Sequence, residues 1–298
     1  MNKEKILEAG QIAKEVREWI KPQIKKGMPL LEIAEKIESK ITEINSEAKP
    51  AFPTNLSIDE IAAHYTPSYD NQNEAHGLLK IDFGVHIDGW CSDQAFSIDL
   101  ENSPENKKII AASEDALKKA IETINLKVTT GEIGKAIQEE IESQGLKPIV
   151  NLSGHEIEQN NLHAGLTIPN VNDKSQYKIT PGLYAIEPFV TSGELGRGQI
   201  HDGNPSGIYE VIDSKNIRSP LAREVLEYIL EKYYTLPFCS RWLVKEFGTK
   251  ALLALRQLEQ NGNLHQFNQL IESNKAKVAQ SEHTVLIDEK GKKIITTI

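Results

Sequence analysis

The stretch LLKIDFGVHIDGWCSDQAF, Leu78 to Phe96, reads as a β-hairpin, yet it holds two acids where a core wants valines, Asp82 and Asp93. Asp88-Gly89 has the chemistry of a two-residue hairpin loop, so Ile87 pairs with Trp90 and the register of the whole hairpin follows. Asp93 then lies opposite Gly84, and Asp82, two residues along from Gly84, shares its face. The carboxylates become diagonal neighbours, with Cβ atoms ~6 to 8 Å apart, and Gly84 leaves room beside them. Two ionised carboxylates this close repel, and burying either one unpaired is costly, so the pair needs a cation, a shared proton or solvent. No lysine or arginine lies between them in the hairpin. Either this face is wet and the acids are solvated, or a cation sits on it, and the rest of the chain must decide.

The chain has 298 residues, 39% hydrophobic and 26% charged, enough for one large domain or two smaller ones with a sizeable core. Its formal net charge of -9 repels nucleic acid and anionic lipid unless a local patch reverses the field. Neither partner is expected. Cys91 and Cys239 stand far apart, in no zinc or CxxC spacing, which suits a reducing compartment and leaves a disulfide between them open. MNKEKILEAG has no apolar signal core, and no run of about 18 apolar residues could span a bilayer. The expectation is a soluble cytoplasmic protein.

Helical periodicity opens the chain, with Ile6, Ala9, Ala13, Val16, Trp19 and Ile20 on one stripe and Ile33, Ile37, Ile41 and Ile44 on another, split near Lys26-Gly27-Met28-Pro29. A strand-like PAFPTNLSID leads to His64. After the hairpin, Ser103-Pro104 supplies an N-cap and a first-turn proline for a helix through Ile110, Leu117, Ile121 and Ile124, and a shorter helix follows around Ile133, Ile137 and Ile141. From about Ile149 to Ile212 the pattern predicts short strands broken by Ser153-Gly154, Pro169-Asn170 and Pro181-Gly182. Ser219-Pro220 caps a further helix, and the stretch to about Leu270 is predicted helical. AQSEHTVLIDEKGKKIITTI closes the chain as two strands around Lys290-Gly291. The simplest organisation is one α+β domain, 1–298, interrupted by a helical insertion at 215–272.

Downstream of the hairpin stand further residues with metal-ligand chemistry: His155 in NLSGHEI, His163 in NLHAGLTIPN, Glu187 in LYAIEPFV and Glu282 in AQSEHTVLI. Each histidine alone is more simply a satisfied structural residue. Glu187 is harder to set aside, because a glutamate buried in an apolar strand without a partner is strongly disfavoured. The order Asp82, Asp93, His155, Glu187, Glu282 resembles the ligand order of the pita-bread-fold metallopeptidases. AFPTN with AAHYTP, then IDFGVHIDG, NLSGH, HAGLTIPN, YAIEPF and SEHTV, resemble the type II methionine aminopeptidases in their short archaeal form, from the first helix to the last strand.

That resemblance implies a pita-bread fold, an antiparallel sheet core with flanking helices, in which the insertion between the last two glutamates separates type II from type I. It implies two divalent metals. Four carboxylates and an imidazole neutralise two dications and suit Mn, Fe, Co or Zn better than a thiolate metal. Asp93 and Glu282 would bridge both metals, Asp82 would chelate one, and His155 with Glu187 would complete the other. A hydroxide held between the metals would attack the first peptide bond, with Glu187 able to accept its proton, while His64 and His163 hydrogen-bond the scissile peptide as substrate-binding and catalytic groups. Phe52 and Leu162 match positions lining the methionine pocket. The implied activity is removal of the N-terminal methionine from nascent polypeptides when the second residue is small, by a monomer, with the ribosome as a candidate place of encounter. Prolidase and aminopeptidase P share scaffold and ligand order, but carry a sizeable extra N-terminal domain, whereas about eighty residues precede Asp82 here. An inactive relative that binds protein or RNA is the other alternative, and five intact ligand positions argue against it. An RNA role for Lys245, Lys250 and Arg256 is opposed by Glu224, Glu227, Glu231, Glu246 and Glu259 in the same insertion.

Overall fold

A computed structural model describes residues 1–298. At its centre lies the hairpin, strands Leu78–Ile87 and Trp90–Asp99, paired antiparallel with Ile87 opposite Trp90 and Gly84 opposite Asp93. Asp88 and Gly89 both have positive φ, 51° and 75°, as a two-residue loop matched to strand twist requires. Around this hairpin grows a nine-stranded sheet. Its main path runs Ala48–Pro50, Leu78–Ile87, Trp90–Asp99, Glu282–Ile287, Gly182–Ile186, Ser153–Glu158 and Asn161–Pro169, with Asn55–Ile58 and Lys293–Ile295 attached at the side. Every neighbouring pair is antiparallel. Strand Glu282–Ile287, near the end of the chain, thus joins its two halves.

Helices α1 (Lys3–Ile20) and α2 (Leu30–Ile44) cover one half of this sheet, and α3 (Pro104–Thr123) and α4 (Thr130–Ser143) the other. The isoleucine stripes read from the sequence are the buried faces: Ile33, Ile37 and Ile41 pack with Ile81, Phe83 and Val85, and Ile133, Ile137 and Ile141 pack with Ile168 and Ile186. Ser103 accepts from the Asn106 amide with Pro104 in the first turn, and Thr129 and Glu132 close a capping box. A helix pair leading through short strands to a hairpin occurs twice, with three short strands in the first half and one in the second, so the architecture repeats where the sequence shows no literal repeat.

The third layer corrects one expectation. Helices α5 (Pro220–Lys232), α6 (Ser240–Phe247) and α7 (Lys250–Gln260) are present, but Leu264–Glu272 is a strand, not a continuation of helix. Asn261 caps α7 and Gly262, at φ 76°, stops it. The chain then pairs with the long strand Ile200–Val211, in a four-stranded sheet that also contains Phe238–Cys239 and Ile61–Ala63. Through Ile61–Ala63 this sheet is tied to the segment that carries His64. The two cysteines are free and buried. No helix is long and apolar enough to cross a membrane.

Candidate metal centre and active-site cavity

The curled sheets enclose a cavity of about 490 Å³ whose lining contains every residue expected at a metal or substrate site: Phe52, His64, Asp82, Asp93, His155, Leu162, His163, Glu187 and Glu282. The hairpin supplies Asp82 and Asp93 as diagonal neighbours, in the register expected. Thr284 pins Asp93 from the adjoining strand, its hydroxyl accepting from the Asp93 amide and donating to the Asp93 carbonyl, both at 2.7 Å. Glu282 stands opposite Ala95. The room that Gly84 provides is filled: a Cβ there would lie 2.5 Å from the Phe52 ring. Ser153-Gly154, expected as a turn, lies instead within Ser153–Glu158, where a Cβ on Gly154 would fall 2.3 Å from the Ala185 carbonyl oxygen. Glycine thus lets His155 sit on a strand pressed against its neighbour. Glu187-Pro188 breaks the path between Gly182–Ile186 and Phe189–Thr191, which turns the Glu187 carboxylate inward.

Asp93, His155 and Glu282 each offer a ligand atom within 4.8 Å of the others'. His155 Nε2 lies 3.6 Å from Asp93 Oδ2 and 3.7 Å from Glu187 Oε1. Its Nδ1 lies 3.3 Å from the Glu156 carbonyl, so Nδ1 carries the proton and Nε2 presents its lone pair to the carboxylates, the tautomer a metal ligand needs. Burial holds that imidazole neutral, pushed down to about 3. All four carboxyls are held above the usual range, by burial first and then by neighbouring carboxylate charge, of Asp82 on Asp93, of Asp93 and Asp82 on Glu187, and of Asp93, Glu187 and Asp82 on Glu282. Asp82 Oδ1, Asp93 Oδ1 and Glu282 Oε1 are buried without a hydrogen-bond partner, and no lysine or arginine lines the cavity. Orphaned carboxylate oxygens around a space with no basic side chain are what a divalent cation would satisfy. The residues fit such an ion.

Two residues the sequence reading missed belong here. Gln280, 1% exposed, places its amide nitrogen 3.4 Å from Asp82, from Glu187 and from Glu282. Nothing in the run Gln280-Ser281-Glu282-His283 singles it out, since a polar residue among polar neighbours gives no signal. Asn55 lines the cavity opposite Asp82 with its side-chain oxygen unpartnered. Along the wall, the His155 and His163 rings meet edge-on at 4.4 Å, His163 open to the cavity mouth. His64 stands edge-on to Phe267 at 5.4 Å. Its backbone is left-handed at φ 62°, a conformation a non-glycine residue keeps only when its surroundings impose it.

Fold and cavity together define a metal-dependent hydrolase site at the seam of two similar halves. Residues 4–289 match Metallopeptidase family M24, and the chain belongs to that family. It is 45% identical over 296 residues to the methionine aminopeptidase of Methanocaldococcus jannaschii, covering 98% of each chain. Among solved structures it is similar to a thermophilic Arx1 (TM-score 0.83, 16% identity, 98% of this chain and 89% of that one) and to methionine aminopeptidase from Rickettsia prowazekii (TM-score 0.67, 21% identity, 99% and 96%). These structural likenesses carry the pita-bread fold.

Proposed function

We propose that this protein is a metallo-aminopeptidase that removes the N-terminal methionine of newly made polypeptides when the second residue is small. The observation that carries the reading is the convergence of Asp82, Asp93, His155, Glu187 and Glu282 on one cavity without a basic residue, in a chain matching a methionine aminopeptidase along its whole length. Asp82, Asp93, His155, Glu187 and Glu282 would together hold two divalent ions, Co, Mn, Fe or Zn, their four carboxylates offsetting the positive charge. Bound dications supply Lewis acidity and a water acidic enough to act at neutral pH.

The chain's own groups do the rest. Glu187 takes a proton from the attacking water. His64 donates from Nδ1 to the Asn268 carbonyl, 3.3 Å away, and burial holds it neutral, pushed down to about 4. Its Nε2 therefore faces substrate as an acceptor and orients the scissile peptide through that peptide's N–H. His163, at the mouth, hydrogen-bonds the same peptide and stabilises the tetrahedral intermediate. Phe52 and Leu162, both buried, close around one flexible apolar side chain. Residues 215–272 form the type II insertion, mostly helical and closing with a strand. The enzyme works as a monomer in the cytoplasm, on chains at or leaving the ribosome.

The test is to strip the protein with a chelator, restore Mn or Co, and measure release of the first residue from Met-Ala-Ser, Met-Lys-Ser and Ala-Pro-Ala. Metal-dependent cleavage of Met-Ala-Ser alone is the expected result. Cleavage of Ala-Pro-Ala would move the protein to the prolidase branch, and silence on all three with either metal would leave a binding protein on this scaffold.

A further inference from the structure

Glu38 of α2 lies outside the catalytic cavity, yet three of the cavity's walls are tied to its carboxylate. Arg241 of α6 reaches it with both terminal nitrogens, at 2.7 and 2.8 Å, and Trp242 Nε1 donates to it at 2.8 Å. The Thr54 amide donates to it at 3.2 Å. Four N–H groups on one carboxylate, with the Arg241 and Glu38 side chains 5% and 11% exposed, make a saturated buried anchor. The remaining Arg241 nitrogen, Nε, donates to the Pro67 carbonyl at 3.0 Å, and Thr66 donates back to the Thr54 carbonyl at 2.8 Å.

The ties at Thr54, Thr66, Pro67 and Arg241 land within four residues of a cavity residue. Thr54 sits between Phe52 and Asn55, Thr66 and Pro67 follow His64, and Arg241 follows Pro237. The left-handed backbone at His64 has to be imposed from outside itself, and the Arg241 to Pro67 and Thr66 to Thr54 bonds lie next to it in the chain. We infer that Glu38 and Arg241 are positioning residues for the proposed aminopeptidase site: through Thr54, Thr66 and Pro67 they set how closely Phe52 and His64 approach the methionine side chain and the scissile peptide. The inference rests on the function proposed above. It also gives the insertion a task, since Arg241 and Trp242 belong to it and Phe52 and His64 do not.

An anchor that only stabilises the fold and one that positions the site differ in a ratio. Loss of folded protein lowers cleavage of all substrates alike. A displaced Phe52 wall instead changes discrimination between N-terminal side chains, because whatever folds is differently shaped. The experiment compares wild type with Glu38→Gln, Arg241→Lys and the double variant Glu38→Met/Arg241→Met, each metal-restored, on Met-Ala-Ser and Leu-Ala-Ser. Lysine cannot reproduce the two-pronged contact, and the double variant removes both charges, leaving no buried ion unpaired. We expect kcat/KM on Met-Ala-Ser to fall by about 100-fold in the single variants, the loss a misplacement of ~1 Å brings. The Met over Leu ratio should narrow with it, while Mn affinity by calorimetry stays at the wild-type value because no ligand is touched. In the double variant thermal stability should recover and selectivity should not. An unchanged Met over Leu ratio in all three variants, or recovery of stability and selectivity together, overturns the inference while leaving the proposed function intact. Inactivity of wild type on Met-Ala-Ser with either metal is failure of that function instead. The anchor is then judged by amide hydrogen exchange: faster exchange in Glu38→Gln confined to residues 52–56 and 64–67 supports it, and exchange unchanged there rules it out.

Discussion

One amide nitrogen, on Gln280, is set against three carboxylates that burial and mutual repulsion would otherwise drive apart or protonate. The backbone that carries it is fixed by Ser97, whose hydroxyl accepts from the Gln280 backbone N–H and donates to the Gln280 backbone carbonyl. A donor shared among Asp82, Glu187 and Glu282 orients them before any ion arrives, and removing such outer contacts commonly weakens metal affinity by about 10- to 100-fold. Gln280→Leu, close in volume and without the donor, should weaken Mn binding to the stripped protein by that factor in a calorimetric titration. An unchanged affinity would make the amide filler. Asp82, Asp93 and Glu187 were legible in the sequence because charge inside apolar segments demands an explanation, with Glu187 between Ile186 and Pro188 the plainest case, whereas His155 and Glu282 needed the resemblance of NLSGH and SEHTV. Gln280 was not legible, because an uncharged amide in a strand raises no such demand and its partners come from segments far apart in the chain. His64 needed the AAHYTP resemblance, since nothing local in the sequence announces a left-handed histidine.

At the scale of elements, the central hairpin was readable because its loop chemistry sets its register, and the helices were readable because caps and isoleucine stripes agree. The strand Leu264–Glu272 was not, since LHQFNQLIE follows neither period cleanly and becomes a strand through pairing with Ile200–Val211. The hairpin end also holds a titrating lock. His86, buried opposite Cys91 and Lys49, accepts the Gly89 amide on Nδ1 at 3.2 Å. Burial, then the nearby Lys49 charge, pushes its pKa down to about 4 against a smaller opposing pull from Asp88. A folded-state value below the unfolded one means the unfolded chain binds the proton first, so the stabilisation is present above pH ~6.5, falls away progressively below it and is gone once pH has dropped through about 4. Between pH 7 and 5 the loss from this group is about 2 kcal/mol, at 1.36 kcal/mol per pH unit. In His86→Asn the amide oxygen takes over as acceptor and does not titrate. Urea denaturation at the two pH values should show its stability falling by about 2 kcal/mol less than wild type does. An equal fall in both proteins would rule the lock out.

Across the whole molecule, the cavity is assembled from segments as distant as Phe52 and Glu282, and its mouth is bounded by Ile208, Pro237, Phe267 and Leu270 of the third layer. That layer has its own apolar cluster of Val225, Leu226, Ile229, Phe238, Leu243 and Leu255, so it could in principle open by itself. Two features oppose this: the pairing of Leu264–Glu272 with Ile61–Ala63, and the Glu38–Arg241 anchor. The free cysteines report on the two regions separately. Cys91 lies in the central sheet among Ile6, Leu183 and Leu286, whereas Cys239 lies in Phe238–Cys239 of the third layer, its thiol pushed up to about 12 by burial despite the nearby Arg241. Neither should react with a thiol reagent in the native protein, since both are fully buried and thiolate is the reactive form. If the anchor and the shared strand make one cooperative unit, alkylation of Cys91 and Cys239, followed by mass spectrometry across a urea series, should show the same midpoint for both. Labelling of Cys239 at lower urea than Cys91 would mean that the third layer opens first, and that the walls of the cavity are less firmly coupled than their hydrogen bonds imply.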